Sequence, residues 1–156
     1  DPNTSLAAPQ VWLTTDSRLI YSVLKKDKRV AVAFPPSGVP AAPAAGPVAY
    51  GETQLLGFFG LDDGTLLGID LTGGNQQTPA VHFRAHVGGR LDHKPVPTRF
   101  GGVYASGENA GISRVDLETG EVTWKTTAAD DFLAVNQEHV YALSPRGELL
   151  VFDRLR

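Results

Sequence analysis

The sequence predicts an all-β protein, and three observations carry that expectation. Short runs of β-branched and aromatic residues recur along the whole chain. Hairpin residues separate most of them. No window of 11 or more residues combines a 3.6-residue apolar period with caps at both ends. The 156 residues suffice for one ordinary domain with a core of its own, and 42% hydrophobic with 20% charged residues fits a folded protein rather than a disordered one.

The strands read in order as "RLIYSVL" (18–24), "RVAVAF" (29–34), "TQLLGFF" (53–59), "TLLGIDL" (65–71), "AVHFRAHV" (80–87), "GGVYASG" (101–107), "GISRVDL" (111–117), "EVTWKT" (121–126), "DFLAVN" (131–136), "HVYALS" (139–144) and "ELLVFD" (148–153). In "AVHFRAHV" strict alternation assigns Val81, Phe83, Ala85 and Val87 to one face, and His82, Arg84 and His86 to the other. Asp63-Gly64 in "LDDGTL" is a strong hairpin signal. "GENAG" (107–111) and "SPRGEL" (144–149) hold equivalent places, and Gly120 in "ETGEV" (118–122) can take the positive φ of a tight turn.

Strands that follow a hairpin align with one another: "RVAVAF" from 29, "LLGIDL" from 66, "ISRVDL" from 112 and "LLVFDR" from 149. Further strands, "VWLTT", "GPVAY", "PVPTRF" and "FLAVN", precede the hairpins. About forty residues holding about four strands is the signature of a β-propeller blade. The expected organisation is one domain, 1–156, with repeats near 11–47, 48–95, 96–130 and 131–156. The first repeat lacks the Asp of the others, and "RVAVAFPPSG" aligns equally with "HVYALSPRG", one strand out of phase. The interval of 46 residues between the second and third repeats is assigned to an insertion around "HVGGRLDHKP" (86–95). "PPSGVPAAPAAGP" (35–47) reads as a linker or an extended connection between blades.

Within "VDLETGEVTW", Asp116 precedes the turn and can accept backbone N–H bonds. Val115, Leu117, Val122 and Trp124 flank the turn as packing residues, with Trp124 suited to the wedge between neighbouring sheets. The longer phrase "VYASGENAGISRVDLETGEVTW" resembles the repeat of the quinoprotein-type (PQQ-like repeat) β-propellers. The motif positions are Asp70, Asp116, Gly120, Trp124 and Asp153, and Phe83 stands where the second repeat lacks its Trp. The style is that of non-catalytic members, among them the propeller lipoprotein of bacterial outer-membrane protein assembly. The resemblance implies a periplasmic, cell-envelope or extracellular location, and rings of seven or eight blades. Four repeats are about half of such a ring, which implies a partial propeller or one completed by association.

Several chemistries find no support. Formal net charge is −3, and the densest basic run, "KKDKR" (25–29), is broken by Asp27 and reads as a solvated turn; nucleic acid is not expected. There is no Cys, which excludes disulfides and thiolate sites. There is no Met, so the chain is expected to be a processed product, a fragment or a cloned segment. No apolar run approaches the ~20 residues of a membrane span. His82 and His86 on one strand would stand ~13 Å apart, too far for a shared ion. No G-x-S-x-G is present, and the Asp pairs at 62–63 and 130–131 read as turn residues. The quinone-dependent dehydrogenases that the resemblance brings in stack their cofactor on Trp beside Ca²⁺ and a catalytic Asp. Trp124 is taken up by packing, and no cofactor and no metal are expected.

A non-enzymatic protein-binding or scaffold module is therefore the expected function. Its partner is a protein, or further blades from the same or another chain. The non-catalytic portion of a PQQ-dependent dehydrogenase is the alternative. The stretch 86–97, with Arg90, Asp92, His93 and Lys94 beside Gly88-Gly89, is expected to be a flexible, protruding, partner-specific loop.

Overall fold

The computed structural model describes residues 10–14, 20–24, 30–34, 48–50, 56–70 and 80–154; before residue 51 only the backbone of the strands is considered. The stretches 25–29, 35–47 and 71–79 lie outside the described residues. Every regular element among the described residues is a strand, and all pairing is antiparallel between neighbours in sequence.

Four meanders follow one another. Sheet 1 contains β1 (Gln10–Thr14), β2 (Ile20–Leu24) and β3 (Val30–Phe34). Sheet 2 contains β4 (Val48–Tyr50), β5 (Leu56–Gly60), β6 (Thr65–Asp70) and β7 (Val81–His86). Sheet 3 contains β8 (Val96–Thr98), β9 (Gly102–Gly107), β10 (Gly111–Asp116) and β11 (Val122–Thr126). Sheet 4 contains β12 (Asp131–Val135), β13 (His139–Leu143) and β14 (Leu149–Asp153). These are propeller blades, as the repeat length predicts.

The blades hold together face to face. Phe58, Leu66, Phe83 and Ala85 on the front of sheet 2 share one buried cluster with Val103, Ala105 and Val115 on the back of sheet 3. The back of sheet 2 is also closed, because Phe59, Leu61, Leu67 and Ile69 are fully buried. Sheet 3 then presents Tyr104, Ile112 and Trp124 to Phe132, Val140, Ala142, Leu150 and Phe152 of sheet 4. Tyr104 stacks on Phe132 at 4.5 Å between ring centroids, and Trp124 meets Phe152 edge-on at 5.5 Å. Two-faced burial explains why β5, β6 and β9 are buried along nearly their whole length, without the alternation expected of a half-exposed strand.

A one-residue register shift recurs between the third and fourth strands. In sheet 2, Gly68 pairs with Phe83 and Ile69 with Val81, so His82 is skipped. In sheet 3, Arg114 pairs with Trp124 and Val115 with Val122, so Thr123 is skipped. This bulge overturns the alternation-based placing of Val81 with Phe83 and the expectation that Val122 is a packing residue. A residue inserted into one strand turns what lies beyond it onto the other face. Val122 therefore joins Val115 on the back of sheet 3 and is exposed, while Trp124 joins Arg114 on the front. Val81 parts from Phe83, Ala85 and Val87 in the same way and is exposed, whereas those three are buried.

The same shift corrects the phase of the first repeat. Ser22 pairs with Val32 and Val23 with Val30, skipping Ala31. That makes β2 and β3 the counterparts of β6–β7 and β10–β11, so "RVAVAF" is a fourth strand, neither of the two phases the sequence allows. Ser22, Gly68 and Arg114 are then equivalent, at a constant interval of 46 residues. The interval of 46 is the regular spacing of the first three sheets, not the mark of an insertion. Sheet 1 is built of second to fourth strands, and sheet 4 of first to third.

Phe58→Ala removes a ring fully buried between sheets 2 and 3. Its expected cost is about 3–5 kcal/mol, measured as a lower urea midpoint with an unchanged slope.

Candidate functional site

Antiparallel meanders sort their loops by parity. Turns after the second strand (61–64, 107–111, 144–148) and connectors after the fourth (87–95, 127–130) gather at one rim. Turns after the first and third strands gather at the opposite rim. The charged stretch singled out in the sequence belongs to the first rim, so its neighbours are set by topology.

The structure corrects the expectation that this stretch is flexible and protruding. Its backbone is clamped to the adjacent hairpin: Val87 N–H donates to Gly64 O at 2.8 Å, Leu91 N–H to Leu61 O at 3.1 Å and His93 N–H to Ser106 O at 3.3 Å. Leu91 and Pro95 are buried, and Lys125 Nζ donates to Val87 O. Gly88 and Gly89 take φ of 85° and 71°. A Cβ on Gly89 would strike Ala110, and one on Gly107 would strike the Arg90 carbonyl and the Asp92 carboxylate. These glycines serve left-handed backbone and close approach rather than mobility.

Asp92 and His93 are brought together with residues that the sequence did not single out. Asp92 Oδ1 accepts from Glu108 N–H at 3.1 Å. The His93 ring lies 4.0 Å from Asp92 Oδ1, 3.8 Å from Asp131 Oδ1 and 3.5 Å from Ser106 Oγ. It thus joins the connector to sheets 3 and 4. Arg90 and Lys94 point to solvent on the same loop. Beside them opens a cleft of about 400 Å³ lined by Glu108, Asn109, Gly111, Thr127, Asp130 and Pro145. Asn109 holds φ at 61°, the only positive value outside glycine among the described residues. Parity of the strands would have placed Glu108, Asp130 and Asp131 at this rim from the sequence alone.

The repeat-motif residues sit at the opposite rim or inside the wedge. Asp116 Oδ1 accepts from Glu118 N–H at 2.9 Å and Thr119 N–H at 3.0 Å. The Thr119 N–H bond, helped by Glu118 N–H, the Thr119 hydroxyl and the Arg114 charge, outweighs partial desolvation and holds the Asp116 carboxyl below its ordinary value. Asp70 occupies the same place in sheet 2; its N–H donates to Ala80 O, as that of Asp116 does to Glu121 O. Asp153 ends β14 opposite His139. Gly120, at φ 72°, lies against Phe83 of sheet 2, where a Cβ would collide with that ring. Trp124 reaches forward to sheet 4.

No group of three or more metal-ligating side chains forms among the described residues. None of their helices is long and apolar enough to cross a membrane, there being no helix among them.

Comparison with known proteins places the fold. No family model matches the chain. No curated protein matches its sequence. Solved structures do resemble it. BamB from Moraxella catarrhalis superposes with a TM-score of 0.68 at 16% identity, over 94% of this chain and 46% of that one. Sqt1 from Saccharomyces cerevisiae gives 0.73 at 13% identity, over 99% and 43%. The computationally designed Ika4 protein gives 0.64 at 11% identity, over 92% and 84%. The first two are β-propellers, so the likeness establishes the propeller fold. The chain spans less than half the length of either.

Two outcomes follow from the geometry. Gly107→Ala drives a methyl group into the 90–92 backbone and is expected to lower Tm and open the 87–95 connector to limited proteolysis. Asp116→Asn is expected to lose about 1 kcal/mol at pH 7, read from urea unfolding. Because the folded pKa lies below the ordinary 3.8, this contribution is present in full above that value and fades as pH falls through the folded pKa. The gap between wild type and variant should therefore close in acid.

Proposed function

We propose that this chain is a non-enzymatic protein-binding or scaffold module built from quinoprotein-like propeller repeats, working in the bacterial cell envelope or outside the cell. The observation that carries the reading is the clamped rim. Residues 87–95 are held by backbone hydrogen bonds to the 61–64 turn and to Ser106, so Arg90 and Lys94 are presented from a rigid frame. Glu108 and Asp130 line the adjoining cleft. A preorganised surface of mixed charge loses little conformational freedom on binding and selects a partner by charge pattern. The fold supports the reading because propellers expose such rims on a stiff body. The envelope location follows from the resemblance of the repeat.

The test pairs Arg90→Glu with Lys94→Glu. Both side chains are exposed, so stability should stay within about 0.5 kcal/mol of wild type. Capture of protein partners from an envelope extract should fall at least fivefold. Equal capture by wild type and variant overturns the rim as the binding surface. An absorption spectrum of bound quinone after incubation with pyrroloquinoline quinone and Ca²⁺ overturns the non-enzymatic reading.

A further inference from the structure

At the rim opposite the clamped connector, three arginines converge on one phenylalanine. Phe100 stands in the turn between the first two strands of sheet 3, next to Arg99. The Arg99 guanidinium carbon lies 5.1 Å from the centroid of its ring, and that of Arg154, from sheet 4, lies 4.7 Å from it. Arg114, on β10, donates from one terminal nitrogen to Phe100 O at 3.1 Å and from the other to Thr123 Oγ1 at 2.6 Å. Gly102 makes room for it, since a Cβ there would strike the guanidinium. Buried Tyr104 reports the convergence: burial raises its phenol above the ordinary value, and the charges of Arg114 and Arg154 oppose that rise.

This positive charge is not answered within the structure. Among the described residues no carboxylate stands within ion-pair distance of any of the three arginines, whereas His93 and His139 each have one. Asp116 feels the charge of Arg114, but its carboxylate is occupied by the amides of Glu118 and Thr119. Arg114 Nε is buried without a hydrogen-bond partner. Arg154 uses Nε on Gln137 O at 2.9 Å, which leaves its two terminal nitrogens to bond elsewhere. Beside the arginines opens a cleft of about 290 Å³ lined by Arg99, Asn136, Gln137 and Glu138. Its wall is fixed, because Asn136 Oδ1 accepts from Glu138 N–H at 2.8 Å and His139 N–H at 2.7 Å. The Phe100 ring holds two guanidiniums in place before any ligand arrives, which cuts the ordering cost of binding.

We propose that this rim binds an acidic segment of a protein partner, with Asp or Glu carboxylates on Arg99 and Arg154, and with Arg114 sustaining the positive field behind them. A planar carboxylate matches the guanidinium fork. Glu138 in the cleft wall and a net charge of −3 disfavour the polyanionic backbone of a nucleic acid. The inference rests on the reading of the chain as a protein-binding module; it adds a second surface and the charge of what that surface takes.

Fluorescence anisotropy tests it on the 156-residue chain with a labelled peptide of alternating Glu and Ala. The same peptide with Gln in place of Glu is the control. Saturable binding of the Glu peptide is expected, weakening as salt rises, with no binding of the Gln peptide. Arg99→Gln with Arg154→Gln should weaken it about tenfold or more through lost charge-assisted hydrogen bonds, with β-sheet circular dichroism retained. Arg99→Gln alone, at an exposed position that leaves the fold intact, should weaken it about threefold. Unchanged binding by the double variant overturns the inference, as does a wild type that takes the Glu and Gln peptides equally. Displacement of the Glu peptide by equimolar inorganic tripolyphosphate shows a phosphate site and rules out the carboxylate. Binding lost in Arg90→Glu with Lys94→Glu, and kept in the Arg99 and Arg154 variant, places the peptide on the first rim and likewise sinks the inference. A wild type that captures partners from an envelope extract yet ignores the Glu peptide removes the acidic partner alone and leaves the protein-binding reading standing.

Discussion

The structure depends on one constraint: a small twisted sheet that is apolar on both faces must have another sheet on each side. Burying a large side chain is worth about 1.5–3 kcal/mol, and a three- or four-stranded meander has too little interior of its own to bury any. Phe58, Leu66 and Phe83 are buried only because Val103, Ala105 and Val115 lie over them. Tyr104 and Trp124 are covered only because sheet 4 brings Phe132 and Phe152. Each blade is the core of its neighbour, so the fold propagates by stacking and has no natural place to stop.

That stacking also makes the rim. Once the faces are used for packing, the ends of the strands are the surface left for recognition. The rim inherits its rigidity from the wedge: Leu91 is buried and hydrogen-bonded to Leu61, so the loop between sheets 2 and 3 cannot move without disturbing the cluster beneath it. His93 carries the linkage one sheet further, lying between Asp92 of the connector and Asp131 of sheet 4. A charged surface stiffened in this way separates positioning from chemistry. The side chains at the rim can vary while the frame that aims them is set by apolar packing.

Much of this was legible in the sequence. Strand positions follow from short β-branched and aromatic runs, hairpins from Asp63-Gly64 and Gly120, and the propeller class from the recurrence of the unit. What was not legible comes down largely to the skipped residue. Nothing in "VTW", "VHF" or "VAV" marks the middle residue as unpaired, because a bulge is a property of two strands together. Reading those strands as uninterrupted alternation puts Val122 beside Trp124 and Val81 beside Phe83, when the skip divides each pair between opposite faces. The same blindness hid the phase of the first repeat, whose fourth strand carries no Asp or Trp to identify it. The rim loop was misjudged for a different reason. Gly88-Gly89 suggests freedom in isolation, but left-handed backbone and contact with Ala110 are what those glycines supply here.

The turn between the third and fourth strands of sheet 3 shows why its residue order recurs. Asp116 acts locally and fastens the turn through the amides of Glu118 and Thr119. Gly120 acts backward: it rests on Phe83 of sheet 2, and Leu117 O of the same turn lies 3.0 Å from His82 Nε2 there. Trp124 acts forward, its ring set against Phe152 of sheet 4. Acid, glycine and tryptophan thus address the blade itself, the one before and the one after. Such a phrase holds its value only inside a stack, because two of its three contacts belong to neighbours. Its length is tuned to the bulge: Trp124 reaches the front face only because Thr123 is skipped. Were Thr123 paired with Arg114 instead of skipped, the indole would fall opposite Ser113, on the face toward sheet 2, and leave the wedge above Tyr104 without its largest side chain.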